Sequence, residues 1–326
     1  MYLVRKKTER VFSIGAKTSL ACTFRAEKYR NDGTITYRGP EFCNTILNVG
    51  LDNLSTYVYG LGDFAIGRYI NVGTDNTAVD QTQTGLLSFL ASTETEYATN
   101  HGYSATTPVN KWREKTFEFA IGDCTGNLTE LGLSRDSNNN YFNRQLFKDE
   151  TDTPTTITVL ADEGLRITAR LYLYSFLEPG ESTTGSFLLD GTTTIDFTQE
   201  LTDDTTWLST RDPSLDYGLC LTWFSATDQN YFRLSESTTT YGGTVPNSVS
   251  TLDYTTGDYY VDFECVWNAG RFVGDINTVA MRFPANNGSQ YDDHPYTAFR
   301  LDSPITVTDT EEVTFVFRRS WERYAT

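Results

Sequence analysis

The chain is organised by a period of two. Leu165, Ile167, Ala169, Leu171 and Leu173 fall on one face, and Arg166, Thr168, Arg170, Tyr172 and Tyr174 on the other. That is the alternation of a half-buried strand. It returns in KWREKTFEFAIGD with Phe117, Phe119 and Ile121, and in DYYVDFECVW with Tyr259, Val261, Phe263, Cys265 and Trp267. The closing ITVTDTEEVTFVFRRSW repeats it with Val313, Phe315 and Phe317. Turn signals separate these runs: Asp32-Gly33 and Asp190-Gly191 each suit a tight hairpin that needs positive φ. The stretch YFNRQLFKDETDTPTTITVLADEGLRITARLYLY reads as strand, polar turn, strand, polar turn, strand, a meander.

Helical periodicity is confined to PEFCNTILNVGLDNLSTY. Leu47, Leu51 and Leu54 have helical spacing there, Pro40 suits a first turn, and Gly50 weakens any continuous helix. NVGTDNTAVDQTQTG is a long polar loop. With no amphipathic helix of three turns and no β-α-β rhythm, the expected fold is all-β, an antiparallel sandwich or jelly roll. Helix should stay below roughly 15% of residues, against the usual ~30–35%. The expected organisation is a basic arm over 1–20, a β-sandwich domain over 21–176, and a second β region over 177–326. The final strand of that region, about 312–321, is placed to complete the first sandwich. SNNNYFNRQ and FLEPGESTTG are the expected exposed connections, the second near the subdomain boundary.

Length and composition agree. At 326 residues the chain can bury a core without disulfides or metals. The five cysteines, Cys22, Cys43, Cys124, Cys220 and Cys265, are widely spaced and lack a C-x-x-C, so they read as buried free thiols. No apolar run suits a signal peptide or a membrane span. The net charge of −17 is uneven. Residues 1–40 carry nine Lys and Arg against three acidic residues, net +6; the rest carries 17 basic and 40 acidic residues, net −23. An acidic body with a basic end does not suit a nucleic-acid binder. It suits an end that docks on an acidic partner, led by Arg5, Lys6, Lys7, Arg10 and Lys17.

Candidate chemistry is sparse. His294 lies beside Asp292 and Asp293, but neighbours on an extended chain point to opposite sides and do not converge on a metal. His101 reads as a loop residue. No nucleophile elbow, P-loop or dinucleotide fingerprint occurs. The acids of DETDT and the pairs Asp162/Glu163 and Asp203/Asp204 sit in turn contexts, where Asp bonds its own backbone. The reading is therefore of no enzyme, no cofactor and no metal. Tyr57, Tyr97, Tyr103, Tyr172, Tyr174, Tyr231 and Tyr241 fall on polar faces or in loops, where a Tyr fills a protein interface or stacks on a sugar. Tyr172 and Tyr174 are the candidate interface aromatics.

Four stretches resemble the structural proteins of tailed bacteriophages. CNTILNVGLDNL is similar to their N-[L/I]-I-x-x-x-G-L-D-x-L segment, and INVGTDNTAVDQTQTGL to the V-G-x-G-x-x-x-P-x-x-x-x-T-x-L loop that follows it. The Tyr141–Tyr174 stretch resembles their F-x-R-x-L-x-x-D-x-x-G-x-P-T-x-I-x-V-x-x-D-E-x-L. FRLDSPITVTDTEEVTFVFRRSWER resembles their closing P-P-I-x-K-x-x-x-x-x-L-T-x-x-x-x-x-S-W-x-R. Thr151-Asp152-Thr153 replaces the usual glycine-bearing turn, and Val307 stands where lysine is common. The resemblance implies a virion component of the tail, tail-fibre attachment or collar region, synthesised in the host cytoplasm. It would assemble with itself and with other virion proteins, and not with nucleic acid or membrane. The alternative is a tail protein that binds a receptor or host-surface glycan.

Overall fold

The computed structural model describes residues 9–55, 67–104, 108, 110–175, 181–189, 193–201, 232–237, 243–282 and 296–324. Of the described residues 64% are strand and 3% helix, and the sheets are antiparallel, so the sandwich class read from the alternation holds. The first strands are β1 (Glu9–Arg30), β2 (Ile35–Arg38), β3 (Phe42–Cys43) and β4 (Thr45–Ile46), followed by the one-turn helix α1 (Asn48–Asn53). Then come β5 (Tyr69–Gly73), β6 (Phe89–Thr93), β7 (Glu96–Ser104), β8 (Asn110–Phe119), β9 (Gly126–Leu128) and β10 (Glu130–Asp136). β11 (Asn139–Tyr141), β12 (Asn143–Leu146), β13 (Ile157–Val159), β14 (Glu163–Ser175), β15 (Ser182–Leu189) and β16 (Thr193–Leu201) follow. The last are β17 (Phe232–Ser235), β18 (Ser248–Thr251), β19 (Tyr260–Trp267), β20 (Gly274–Arg282), β21 (Tyr296–Val307) and β22 (Glu312–Arg323).

Two compact units share these strands. The first runs from Ser19 to Tyr174 and takes back the chain from Trp321; the second takes β1 up to Thr18 and the described residues between Ser175 and Ser320. β22 therefore belongs to both, its last residues serving the first unit. The arm expected over 1–20 is strand from Glu9 onward. The physical reason is alternation: where its side chains are described, every second one is buried, Thr18, Leu20, Cys22, Phe24 and Ala26.

In the first unit one sheet has the order β1–β14–β8–β7, with β2 and β3 also pairing with β1. A second has the order β4–β12–β10–β5–β6, with β11 on β10, and β9 pairs with β13. The apolar row of β14 is buried along its whole length, as are Phe117 and Phe119 of β8. Each such side chain contributes about 1.5–3 kcal/mol of burial. The β1–β2 hairpin turns at Asp32-Gly33, where Gly33 has φ 81° and Asp32 accepts the Thr34 N–H at 2.9 Å. Pro40 to Ile46 is not helical: Phe42 and Cys43 pair with β1, and Thr45 and Ile46 with β12. Helix begins only at Asn48, and Gly50 is needed in it because a Cβ there would strike the Phe142 carbonyl. The stretch Asn143 to Ser175 does contain three strands, but it is not a meander. β12 pairs with β10 and β4, β13 with β9, and β14 with β8. SNNNYFNRQ is exposed to Asn140 and buried from Tyr141.

The second unit is a sandwich of two sheets, β18–β19–β22 and β15–β16–β21–β20–β17. Rings from the two sheets meet across its interior: Phe187 with Phe315 at 6.4 Å, and Phe232 with Phe263 at 5.8 Å and Phe317 at 4.7 Å. β19 alternates as its sequence predicts, with Val261, Phe263, Cys265 and Trp267 buried. Val307, standing where the resembling proteins have lysine, is buried at the end of β21. β15 and β16 pair in register from Ser182↔Glu200 to Leu189↔Thr193; the Asp190-Gly191 turn lies outside the described residues.

Candidate interaction face

Residues of all four resembling stretches meet inside the first unit, the last stretch through Trp321 and Arg323 alone, since Phe299 to Ser320 belong to the second unit. The Trp321 indole donates to the Leu51 carbonyl at 2.9 Å, and Arg323 donates to Ile46 O at 2.7 Å and to Asn48 Oδ1. The Leu47 N–H donates to Phe142 O at 3.0 Å, and the Asn48 N–H to Gln81 O at 2.8 Å. Beside them Arg144 and Glu130 form a fully buried pair, Nε to Oε2, at 2.7 Å. Both ions are also tied to the loop between β5 and β6. Glu130 accepts the N–H groups of Leu87 and Ser88 at 3.1 and 2.7 Å, and Arg144 donates to Thr77 O and Gln83 Oε1 at 3.2 and 2.9 Å. A loop that a propensity argument would leave loose is thus held at both ends by buried charge.

The polar face of β14 lies in the same unit. Arg170 lies against Glu114 of β8, with Nη2 2.6 Å from Oε2, and its guanidinium sits 4.4 Å from the centre of the Trp112 ring. Arg166 bonds Glu118 at 2.7 Å and is stacked between the rings of Tyr29 and Tyr97, at 4.1 and 3.7 Å. Tyr172 and Tyr174 stack at 6.0 Å, and Tyr324 lies on Tyr174 at 3.7 Å with the planes 13° apart. Thr116 and Thr168 share a hydrogen bond of 2.9 Å between the two arginine pairs. Burial, with Tyr172 and Tyr324 beside it, pushes the Tyr174 hydroxyl up to about 12, so it stays neutral. Burial opposes the charge on Arg166 and Arg170, but their bonds to Glu118, Glu114 and Tyr172 outweigh it and raise both.

Glycines set the relief of this face. A Cβ on Gly102 of β7 would come within 2.5 Å of the Trp112 ring, and one on Gly164 would strike the ring of Tyr29. Both rings lie on bare backbone, which fixes aromatic side chains that two χ angles would otherwise leave free. The result is a rigid patch of Arg, Tyr and Trp with its charges paired, the residue types that anchor protein interfaces. Arg166 and Arg170 share the parity of Tyr172 and Tyr174. Trp112 joins them only through the β8–β14 register and Tyr324 only through the return of the chain end, so neither shows in a local pattern.

The other candidate residues fall elsewhere. Arg5, Lys6 and Lys7 lie outside the described residues, as does the side chain of Arg10; Lys17 is half-buried in β1. Tyr57, Tyr231, Tyr241, the side chain of Tyr103, the Asp203/Asp204 pair and the Asp292–His294 run also lie outside them. His101 is in β7 and not in a loop, because Glu96–Ser104 pairs along β8. Cys22, Cys124 and Cys265 are buried free thiols, but Cys43 is exposed at the end of a two-residue strand; Cys220 lies outside the described residues. The DETDT acids form a turn: Asp149 accepts the N–H groups of Thr151 and Thr153 at 2.9 and 3.1 Å. Among the described residues no group of three or more His, Cys, Asp and Glu could hold a metal, and no helix is long and apolar enough to cross a membrane. No protein family, curated protein or solved structure matches this chain.

Proposed function

We propose that the chain is a structural subunit of a tailed-bacteriophage virion, in the tail, tail-fibre attachment or collar region, and that the Arg/Tyr/Trp face of β14 and β8 carries assembly contacts. The observation behind this reading is the meeting of the four resembling segments. They are scattered from Cys43 to Arg323, yet backbone and buried side-chain bonds join them at one place. Motifs that share a structural node specify a scaffold, not a reaction centre. The polar face of β14 and β8 has the same character: Arg170 covers Trp112, Tyr324 covers Tyr174, and each arginine has its carboxylate. Rings already covered in this way offer edges and rigid shape to a protein partner more readily than open faces to a sugar.

The test is to locate the chain in purified virions by mass spectrometry and a reconstruction of the particle, alongside a phage whose copy of the gene is deleted. The expected result is loss of particles or of tail components in the deletion. Particles of full composition and normal infectivity without the chain would overturn the reading. Binding of the purified protein to host-surface polysaccharide, abolished by Trp112→Ala, would favour the receptor-binding alternative.

A further inference from the structure

The open edge of the first unit is β7. Among the described residues it ends the strand order β1–β14–β8–β7, and Glu96 to Asn100 are exposed. An edge strand presents unpaired N–H and C=O groups, and proteins blunt such edges with lysine, proline, bulges or short length. β7 has nine residues, EYATNHGYS, with no Lys, Arg or Pro and one charge, Glu96, which already faces Lys115 at 3.6 Å. A bulge between Glu96 and Ala98 limits the regular part to Ala98–Ser104.

We infer that β7 pairs antiparallel with β7 of a second copy of this chain, about a two-fold axis at Asn100. This deepens the assembly reading above by naming one partner. Centred on Asn100, this register uses Ala98 to Gly102 of the regular part on both copies. It sets Ala98 opposite Gly102 and Thr99 opposite His101; Tyr97, at the bulge, stays on Arg166 and outside the ladder. Small faces small, polar faces polar, and no charge meets its like, the cross-strand pairing that stabilises a sheet. Charge also points to this strand. Two copies of net charge −17 repel each other, so the contact they share has to be nearly neutral, and β7 is.

The backbone is poised for the exchange. The His101 N–H is held by the side chain of Asn100, Oδ1 at 2.9 Å, which marks it as a donor that the ladder to β8 does not use. Odd-numbered residues then face outward, and a two-fold at Asn100 pairs odd with odd: His101 N–H would donate to Thr99 O of the second copy. Pairing would release Asn100 and extend the sheet through the axis, continuing the Trp112 and Tyr97 surface into the second copy.

The test uses the full chain with the exposed thiol removed by Cys43→Ser. Adding Asn100→Cys should yield a disulfide-linked dimer under mild oxidation, because facing residues at the axis are about 4.5–5.5 Å apart. Glu96→Cys in the same background should not, because its two copies would lie roughly 27 Å apart. Sedimentation of the unmodified chain should show a monomer–dimer equilibrium that tightens with added salt as the acidic bodies are screened. Thr99→Lys should weaken it about tenfold or more with circular dichroism and melting unchanged. A monomer at every concentration, a dimer indifferent to Thr99→Lys, or equal cross-linking at positions 96 and 100 would overturn the inference. If the chain enters virions but does not cross-link at Asn100, only the pairing fails; if it dimerises but is absent from virions, only the virion reading fails.

Discussion

The Trp321 indole N–H reaches the carbonyl of Leu51 at 2.9 Å, across 270 positions of sequence. Both groups are buried, so neither can fall back on water. Trp321→Phe keeps the ring and leaves the Leu51 carbonyl without that donor, at a cost of about 1–2 kcal/mol. Trp321→Ala also opens a cavity and should cost about 3–5 kcal/mol. Urea unfolding of the three proteins would show this order; equal midpoints for wild type and Trp321→Phe would remove the hydrogen bond from the account.

The buried pair Arg144–Glu130 makes a second prediction. Arg144→Met strands the Glu130 carboxylate inside the unit, and the expected loss is about 3–5 kcal/mol. The double change Arg144→Met with Glu130→Gln should recover part of that loss, since the stranded charge is gone. In the single variant the loop between β5 and β6 loses its anchors on Arg144, at Asp75, Thr77 and Gln83. Limited proteolysis should then cut between Thr74 and Ser88 before any other described segment. A double variant less stable than the single one would contradict the argument.

Glu163 gives the first unit a pH dependence. Burial pushes its carboxyl up, but the Leu160 N–H, the Thr36 hydroxyl and Lys28 outweigh burial and hold it at about 2, below an ordinary 4.5. The Lys28 ammonium lies 3.0 Å away. A depressed carboxyl favours the folded state above its unfolded value, and that contribution fades as pH falls from about 4.5 towards 2. The size is about 2 kcal/mol once screening near the surface is allowed for. Melting curves between pH 6 and pH 2 should fall more steeply for the wild type than for Glu163→Gln; parallel curves would show that Glu163 is not the source.

The turn at Asp149–Thr153 explains a departure from the resembling proteins and makes a fourth prediction. Asp152 stands where they carry glycine, and its φ is 61°, the left-handed region that glycine enters freely. Aspartate tolerates this conformation better than most residues, and Lys148 holds it with contacts of 2.8 and 2.9 Å to the two carboxylate oxygens. Asp152→Gly should therefore change stability by less than about 1 kcal/mol. Asp152→Val should cost about 1–3 kcal/mol, because a β-branched residue resists that backbone. A valine variant as stable as the wild type would show that the turn relaxes.

The fold class was legible because alternation is local. Leu165 to Leu173 and Val261 to Trp267 announce their faces without reference to any other strand, and Asp32-Gly33 announces its hairpin. Pairing was not legible in the same way. β12, β13 and β14 follow one another in sequence but go to three different partners, a choice made by burial on distant strands. Tyr172 and Tyr174 could be singled out from parity alone. Their companions Trp112 and Tyr324 could not, since one depends on strand register and the other on the chain's return. Phe42 and Ile46 were misread as helical because a two-residue strand has no period to detect; what holds them is β1 and β12.

The return of Trp321 and Arg323 to Leu51 and Ile46 also sets a clock. During synthesis the first unit emerges from the ribosome as far as Tyr174, but Trp321 follows 147 positions later. At common elongation rates that delay is roughly 7–30 seconds. Through that interval the unit waits with its Leu51 carbonyl and the neighbouring backbone uncapped. A nascent chain cut short before Trp321 never closes. Synthesis of Trp321 thus acts as a checkpoint: only chains read through to Trp321 and Arg323 present a finished first unit.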